Sequence, residues 1–561
     1  MDFTRRDVLA LGAAAGASAL LPFGAGAGAQ TGTSSGFAPI ASRVGAFAQE
    51  VLAQNGFPGM AVAIVGPGGW SSNFAVGLAN IDSRIPTAPA QLFQIGSITK
   101  SLTAMAVFAL AARGRLDLDA HVQPLLPEVP LPPEPITIRH LLEHSSGLPN
   151  SLEQTPYIHV PGGRLWTGFE PGSRYSYCNL GYTLLGLIVE RAAGMSWPQA
   201  LRMLVLRPIG MSAAEPVIRT ADRARYATGH VRLRDDLPWL PRARLTAARW
   251  IDMHSAAGSV AATAPDMVAF LRTLVDLGRG KGGPLFPDAL AERYRTPTIA
   301  STHGPGARYG NGLATLDVGG SPAFRHTGGM IGFSSAMTVD AAAGAGCYAS
   351  VNVGGAGGYR PTEVTEYALA LVRAAAAGQP LPAAPAPRRA PPFGQPERVT
   401  GRWVDPDGRE FSVVARGGEL WVVSGGVERP LVVVSDGALA TDHPELAPHE
   451  LALEPGDTPF IRVGGRIYGR TAPASGATPA RLAALGGTYY STGAWTPRIN
   501  VFAAGDRLFF GSYRVTEAQD GSWRFSDPAL VSERVWFEDF AGGRPQNLNF
   551  SGTRFSRIPA A

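Results

Sequence analysis

The stretch Phe93-Gln94-Ile95-Gly96-Ser97-Ile98-Thr99-Lys100-Ser101 places a serine and a lysine three residues apart at the start of an apolar helical pattern. The pattern runs to Arg113 and ends at Gly114, a common C-terminal signal of helices. Residues three apart share one helix face, so Ser97 and Lys100 are expected to touch. Ser97 also lies at the helix N-terminus, where free N–H groups and the helix dipole favour developing negative charge.

Lysine is rare in this chain, and its rarity gives Lys100 weight. Of the 49 Lys and Arg residues, only Lys100 and Lys281 are lysine. In the ordinary interpretation, the serine caps the helix and the lysine is a solvated cation, a role that arginine fills equally well. Arginine cannot act as a proton acceptor, because it stays charged, whereas a buried lysine can lose its proton. The sequence therefore favours Ser97 as a nucleophile with Lys100 as its base.

The composition is that of a large globular protein. With 561 residues, the chain is too long for one core and is expected to form roughly two to four domains. The net charge of +5 is weak for this length, and there is no Lys/Arg run, so no nucleic-acid partner is expected. Cys178 and Cys347 either pair after export or stay free and buried. No Cys/His cluster has metal-ligand spacing, so no metal and no cofactor are expected.

Residues 1–29 have the pattern of a twin-arginine export signal. Thr4-Arg5-Arg6-Asp7-Val8-Leu9 precedes an Ala/Gly/Leu-rich stretch and the small residues Ala27-Gly28-Ala29 before Gln30. The stretch is too rich in Gly and Ala for a convincing membrane span, although an uncleaved anchor is the alternative. We therefore expect a periplasmic or secreted protein without stable membrane insertion.

Residues 30–375 are predicted to form one α/β unit. Helical patterns cover 37–55, 101–113, 180–193, 266–277 and 363–377, and residues 136–149 begin extended and become a short helix. Strand-like apolar runs cover 60–65, 70–76, 324–326, 333–339 and 347–353. Strands at both ends of the unit with helices between them predict an α/β sandwich with a helical subdomain.

The rest of the chain is predicted to be a linker and two small antiparallel β-barrels. Residues 376–396 are rich in proline and alanine, which predicts an extended, semi-rigid linker. Three pairs of landmarks then recur at offsets of 86, 88 and 87 residues: Trp403 and Tyr489, Leu420 and Leu508, Tyr468 and Phe555. This near-constant offset predicts two copies of one β unit, at 397–472 and 482–561. Barrel core, and not ligand stacking, is the preferred interpretation of Trp403, Trp421, Tyr489, Trp523 and Trp536.

Two further motifs contain groups that a serine nucleophile needs. Tyr177-Cys178-Asn179 precedes a helical pattern, and a phenol beside a lysine ammonium can have a lowered pKa and carry a proton. Alone, this motif is very weak evidence, and a structural tyrosine with a capping asparagine is its default interpretation. His326-Thr327-Gly328-Gly329 lies on a predicted strand that could align a substrate backbone. The Gly329 N–H could form an oxyanion hole with the N–H of Ser97.

In this order, the stretches 97–100, 136–149, 171–190 and 326–335 closely resemble the serine β-lactamase and DD-peptidase superfamily. The resemblance covers roughly residues 40–370. Within the superfamily, the chain is similar to class C β-lactamases, D-Ala-D-Ala carboxypeptidases, D-aminopeptidases and related esterases. The implied fold is an α/β sandwich with a helical subdomain, as the residue patterns also predict.

The resemblance also implies a role for each motif residue. Ser97 would be acylated, Lys100 would be its base partner, and Tyr177 would be the proton shuttle. Asn179 would bind the substrate amide, and the stretch His326-Thr327-Gly328 would line the binding strand. The implied mechanism is formation and hydrolysis of an acyl-enzyme without a metal.

The expected function is that of an exported serine hydrolase cleaving amide bonds of short peptides. It would act as a D-aminopeptidase, as a D-Ala-D-Ala carboxypeptidase or on linearised cyclic peptides. In class C enzymes a lysine usually holds the position of His326, so strong β-lactamase activity is not expected, and two barrels after the catalytic unit resemble the layout of D-aminopeptidases. Specificity is expected from loops 150–169 and 220–251 and from barrel loops that reach the site.

Two alternatives remain open. The first is an esterase or β-lactamase of the same superfamily, with β-lactams as substrates or inhibitors. The second belongs to another class: a non-catalytic cell-wall or β-lactam binding protein in which Ser97 is acylated without turnover. The sequence predicts no oligomeric state.

Overall fold

The computed structural model describes residues 30–31, 35–150, 161–234, 237–355, 358–388, 396–435, 437–454, 459–472, 478–493, 495 and 498–558. The predicted export signal lies outside these ranges, as do residues 151–160 of one predicted specificity loop and part of the linker. Among the residues described, no helix is both long enough and apolar enough to cross a membrane.

A ten-stranded antiparallel sheet lies at the centre of the first unit. Its strands are β1 Gln30–Thr31, β2 Gly59–Val65, β3 Ser71–Asn80, β4 Ile85–Pro86, β9 Ile299–Ala300, β10 Arg308–Gly310, β11 Leu313–Asp317, β12 Pro322–Met330, β13 Phe333–Asp340 and β14 Ala345–Val351. The order is β1-β3-β2-β14-β13-β12-β11-β10-β9, with β4 paired to β3. Two short pairs lie beside it: β5 Phe93–Gln94 with β8 Ala261–Ala262, and β6 His230–Arg232 with β7 Leu245–Ala247.

Helices cover both faces of this sheet. In chain order they are α1 Ile40–Asn55, α2 Thr99–Ala112, α3 Val122–Leu125, α4 Ile138–Leu142, α5 Asn179–Ala193, α6 Trp197–Leu201, α7 Arg207–Ile209, α8 Ala264–Gly278, α9 Asp288–Arg295 and α10 Thr362–Ala376. Helices α1 and α10 pack with Met60, Val62 and Ile64 of β2 on one face. Ala63 and Val65 of the same strand join the core formed by α2, α5 and α8 on the other. Both faces are therefore buried, which explains the continuous apolar runs in these strands.

Helix α2 is the centre of the helical layer. Every residue from Thr99 to Leu110 is buried, so the helix is enclosed on all sides. This agrees with a sequence that is apolar around the whole helix, Lys100 and a few small hydroxyl residues excepted. The predicted α/β sandwich with its helical subdomain is confirmed, and the observed helix and strand ends lie within a few residues of most predicted ones.

Two eight-stranded antiparallel barrels follow. The first barrel consists of β15 Gly401–Val404, β16 Glu410–Arg416, β17 Glu419–Ser424, β18 Val427–Ser435, β19 Ala438–Ala440, β20 Leu451–Glu454, β21 Phe460–Val463 and β22 Arg466–Tyr468. After a short helix α11, Ala480–Leu485, the second barrel consists of β23 Gly487–Tyr490, β24 Arg498–Ala504, β25 Arg507–Phe510, β26 Tyr513–Glu517, β27 Trp523–Phe525, β28 Arg534–Ala541, β29 Arg544–Phe550 and β30 Thr553–Arg557. The first is closed only by an isolated bridge between Val404 and Gly469, whereas β23 and β30 close the second.

The repeated landmarks occupy equivalent strands of the two barrels. Each pair falls on the first, third or eighth strand of its barrel, which confirms the predicted repeat. The exact domain and linker boundaries remain predictions. Trp403, Tyr489 and Trp523 are buried in the barrel cores. The core assignment is wrong for the other two: Trp421 is half-buried on the first barrel, and Trp536 contacts Trp166 of the first unit.

Candidate active site

Ser97 lies on a single 3₁₀ turn, Gly96–Ile98, immediately before α2. Gly96 has a φ of +56°, and a Cβ there would lie 2.8 Å from the Gly329 nitrogen. On the facing strand β12, a Cβ on Gly328 would lie 2.0 Å from the Ile95 carbonyl oxygen. Glycine is therefore required on both sides, because only its absent side chain lets the turn and the strand approach this closely.

Lys100 is completely buried beside Ser97. Its Nζ lies 3.1 Å from Ser97 Oγ and donates to Asn179 Oδ1 at 2.8 Å and to the Ala257 carbonyl at 2.7 Å. No carboxylate is among these partners. Burial, which penalises the charged form, holds the pKa of Lys100 well below its usual value. The lysine is thus surrounded by neutral oxygen atoms that suit an uncharged amine.

Tyr177 contacts the same serine from the other side. Its hydroxyl donates to Ser97 Oγ at 2.7 Å, and Lys100 Nζ lies 4.9 Å from the centre of its ring. Burial raises the pKa of Tyr177. The expectation of a phenol with a lowered pKa is therefore wrong, because desolvation outweighs the hydrogen bond to Ser97 and the charge of Arg360, which both act to lower it.

Asn179 is the first residue of α5 and turns its amide oxygen toward Lys100. Its backbone N–H and its side-chain Nδ2 both donate to Asn150 Oδ1, at 2.9 and 2.7 Å. A backbone N–H can only donate, so Asn150 must present its oxygen here. The second donor must then be Asn179 Nδ2, which leaves Asn179 Oδ1 to face the lysine.

Strand β12 carries the third motif along one edge of the site. His326 is buried, its Nδ1 lies 2.7 Å from the Thr327 carbonyl, and its Nε2 lies 3.1 Å from the Tyr309 hydroxyl. Burial lowers the pKa of His326 to about 3, so the ring is neutral at ordinary pH. Residues 326, 327 and 329 line the cleft, whereas Gly328 faces the Ser97 turn.

These residues open into a cleft of about 1110 Å³. Its walls include Val231, Arg232 and Arg249 from the predicted specificity loop 220–251, and Arg360 just before α10. The second barrel contributes a further wall, formed by Tyr490, Trp495, Arg498, Asn500, Pro528 and Ala529. None of the first barrel's described residues lines it, so among the described parts of the two barrels only the second reaches the site.

Several site residues have no recognisable signal in the sequence. The Ala257 carbonyl, Asn150, Tyr309 and Arg360 reach the site only through long-range packing. Asn150 directly follows the stretch 136–149, which the resemblance singled out, so it was the one most open to detection. Cys178 and Cys347 are both buried and free. Within the part of the chain that is described, no cluster of three or more His, Cys, Asp or Glu side chains is arranged to hold a metal ion.

Comparison with known proteins agrees with this architecture. The β-lactamase family model matches residues 44–372. Esterase EstB of Burkholderia gladioli is 30% identical over 353 residues, which cover 53% of this chain and 87% of EstB. Penicillin-binding protein 4* of Bacillus subtilis is 31% identical over 172 residues, 28% of this chain but only 38% of that protein.

Solved structures extend the likeness beyond the first unit. The octameric penicillin-binding protein homologue from Pyrococcus abyssi has a TM-score of 0.53 at 23% identity, covering 76% of this chain and 99% of that one. The D-amino acid amidase from Ochrobactrum anthropi SV3 has a TM-score of 0.50 at 23% identity, covering 60% and 99%. These two similarities concern the fold. The family match over more than half of the chain shows that the protein belongs to the β-lactamase family and is a serine hydrolase.

Proposed function

We propose that the protein cleaves amide bonds of short peptides through an acyl-enzyme on Ser97, with Lys100 as the base. The observation that carries this proposal is the arrangement of the three partners of Lys100. A neutral amine has two N–H groups and one lone pair. Asn179 Oδ1 and the Ala257 carbonyl accept the two N–H groups, which directs the lone pair at Ser97 Oγ, 3.1 Å away.

In the proposed mechanism, Ser97 transfers its proton to Lys100 Nζ while its Oγ attacks the substrate carbonyl carbon. The N–H groups of Ser97 and Gly329 stabilise the negative charge on the carbonyl oxygen. Tyr177, a neutral phenol, donates its proton to the leaving nitrogen and regains one from Lys100. Water then attacks the acyl carbon while Lys100 accepts a proton from it. Lys100 passes this proton to Ser97 Oγ as the bond between Oγ and the acyl carbon breaks and the carboxylic acid product leaves.

The charge of the cleft favours one class of peptide. Five arginines line it: Arg174, Arg232, Arg249, Arg360 and Arg498. None of the described lining residues is acidic. A substrate with a carboxylate gains attraction in such a cleft, whereas one with a free ammonium does not. We therefore favour a carboxypeptidase-like substrate over an aminopeptidase substrate.

Ester hydrolysis is the second candidate, and the similarity to EstB over most of that esterase favours it. The same Ser97 acyl-enzyme would serve both reactions, because the leaving atom alone changes. β-Lactams would enter as substrates or as inhibitors that acylate Ser97. A non-catalytic binding protein would form the acyl adduct and fail to release it.

The test combines labelling with turnover. A fluorescent phosphonate should label the wild-type protein but not Ser97→Ala, and Lys100→Arg should abolish turnover because guanidinium cannot accept the proton. Turnover of acetyl-D-Ala-D-Ala, its C-terminal amide, D-Ala-p-nitroanilide, p-nitrophenyl acetate and nitrocefin ranks the substrate classes. Labelling of Ser97→Ala would contradict the proposal, and an adduct stable for hours without any turnover would favour a binding protein.

The pH dependence offers an independent check. Only the neutral amine of Lys100 accepts a proton, so kcat/KM should rise as pH increases through its lowered pKa. The raised pKa of Tyr177 predicts no loss of activity from phenol ionisation in the mildly alkaline range. A kcat/KM that falls between neutral and mildly alkaline pH would contradict these assignments.

Export through the twin-arginine route is proposed from residues 1–29 alone. Replacing Arg5 and Arg6 by lysine should retain the protein in the cytoplasm of an expressing bacterium, while the wild type is exported. Fractionation followed by activity assay measures this, and equal distribution of the two forms would contradict it.

A further inference from the structure

The second barrel places one buried carboxyl group against the loop behind the active site. Glu533 precedes β28, is only 3% exposed, and accepts the backbone N–H of Asn150 at 2.6 Å through Oε1. Burial raises the pKa of this carboxyl group. Burying a carboxyl group costs free energy. The contact of Glu533 with the first unit must therefore be explained by what it stabilises there.

The surroundings of Glu533 hold it firmly in place. Trp166 of the first unit donates its Nε1–H to the Ser532 carbonyl at 2.7 Å and packs against Trp536 with ring centres 5.2 Å apart. The guanidinium of Arg534 lies 4.6 Å from the centre of the Trp166 ring. Gly168 approaches so closely that a Cβ there would lie 2.6 Å from Ser532 Cα. The carboxyl is therefore presented by a tightly packed contact between the two units.

The contact leads to the catalytic lysine in three steps. Glu533 holds the backbone of Asn150, whose Oδ1 accepts two N–H groups of Asn179. Those two bonds determine which end of the Asn179 amide faces Lys100. If Asn150 moved, Asn179 could rotate and present its NH₂ group to Lys100. An NH₂ group only donates, so the single lone pair of the neutral amine would accept that hydrogen bond and would no longer be directed at Ser97.

We propose that Glu533 is a positioning residue of the hydrolase: through Asn150 and Asn179, it keeps the lone pair of Lys100 directed at Ser97. It touches neither the substrate nor the reacting atoms. The proposal rests on the proposed roles of Ser97 and Lys100, and it makes the second barrel necessary for acylation as well as for forming a wall of the cleft.

The test is a double-mutant cycle on the full-length protein with whichever substrate wild type turns over. Glu533→Ala and Asn150→Ala should each lower kcat on the order of 10- to 100-fold, as expected when a group that orients a reacting residue is lost. The double variant should be no slower than the slower single variant, within about threefold, because both substitutions break the same chain of contacts. Glu533→Gln keeps an oxygen at the Oε1 position and should restore kcat to within about threefold of wild type.

The controls separate positioning from folding. Asp405→Ala removes a carboxylate that is equally buried, but in the first barrel. Thermal unfolding gives the folded fraction of this variant, and the kcat of that fraction should equal the wild-type value. If Glu533→Ala does not fold, Glu533→Asp, which is one methylene shorter, replaces it in the cycle. Wild-type kcat in folded Glu533→Ala, or losses that multiply in the double variant, would overturn the proposal. Turnover by Ser97→Ala would instead overturn the proposed function.

Discussion

The two barrels share a fold and a sequence repeat, yet they have different relations to the active site. Both have eight antiparallel strands, with matching landmarks on the first, third and eighth strand. The second contributes six of its described residues to the cleft and places Glu533 behind it. Of the described residues of the first barrel, none lines the cleft.

This difference shows that the residues that form a barrel's core are not the residues by which a barrel contributes to the site. Core residues such as Trp403 and Tyr489 repeat because both barrels need the same packing. The described residues of the second barrel that line the cleft lie between 490 and 500 and at 528–529, and Glu533 follows shortly after, where the second barrel meets the first unit. Substitutions of equal size in the two barrels should therefore differ in their effect on activity.

Two buried tryptophans give the largest expected effects. Trp166→Ala and Trp403→Ala should each cost about 3–5 kcal/mol of unfolding free energy, because both remove a large buried side chain. Only Trp166→Ala should also lower kcat, by roughly tenfold, since it loosens the contact that presents Glu533. Calorimetry and kcat at a temperature where both variants are folded measure the two effects. An equal loss of kcat in Trp403→Ala would break the distinction between the barrels.

Arg462 tests how closely the two barrels depend on each other. This residue of β21 is buried, donates to the Gly511 carbonyl of the second barrel at 2.7 Å and lies 4.4 Å from the centre of the Phe509 ring. Arg462→Leu should cost about 1.5–3 kcal/mol of stability, the range for a hydrogen bond from a charged group, with kcat unchanged.

The matched control for Arg462 is Arg416→Leu, which breaks only an exposed ion pair with Glu428 and should cost less than about 1 kcal/mol. Thermal unfolding of the two variants side by side measures the difference. A fall in kcat for Arg462→Leu would show that the first barrel acts on the site through the second.

The smallest expected effect compares a tryptophan of the cleft with one outside it. Trp495→Ala should raise KM about three- to tenfold with little change in kcat, because an aromatic wall contributes about 1 kcal/mol to substrate binding. Trp421→Ala, a half-buried tryptophan on the first barrel, should change neither constant. Steady-state kinetics with one substrate measures both, and an unchanged KM in Trp495→Ala would remove this residue from the binding surface.

The local sequence patterns were sufficient to predict much of the fold. The Ser97–Lys100 spacing, the glycine that ends α5 and the apolar runs of β2 and β13 all follow from contiguous residues and simple periodicity. The offset of 86 to 88 residues between landmarks was enough to predict two barrels, because equivalent strands need equivalent core residues.

By itself, the sequence determined the type of nucleophile, the order of the motifs and the division into an α/β unit and two barrels. Only the tertiary structure decided the charge states and partners of the site: Tyr177 has a raised and not a lowered pKa, and Glu533 meets Asn150 across 383 residues of sequence. The physical reason is that burial and long-range hydrogen bonds depend on all the groups that surround an atom. No spacing within one segment encodes those surroundings.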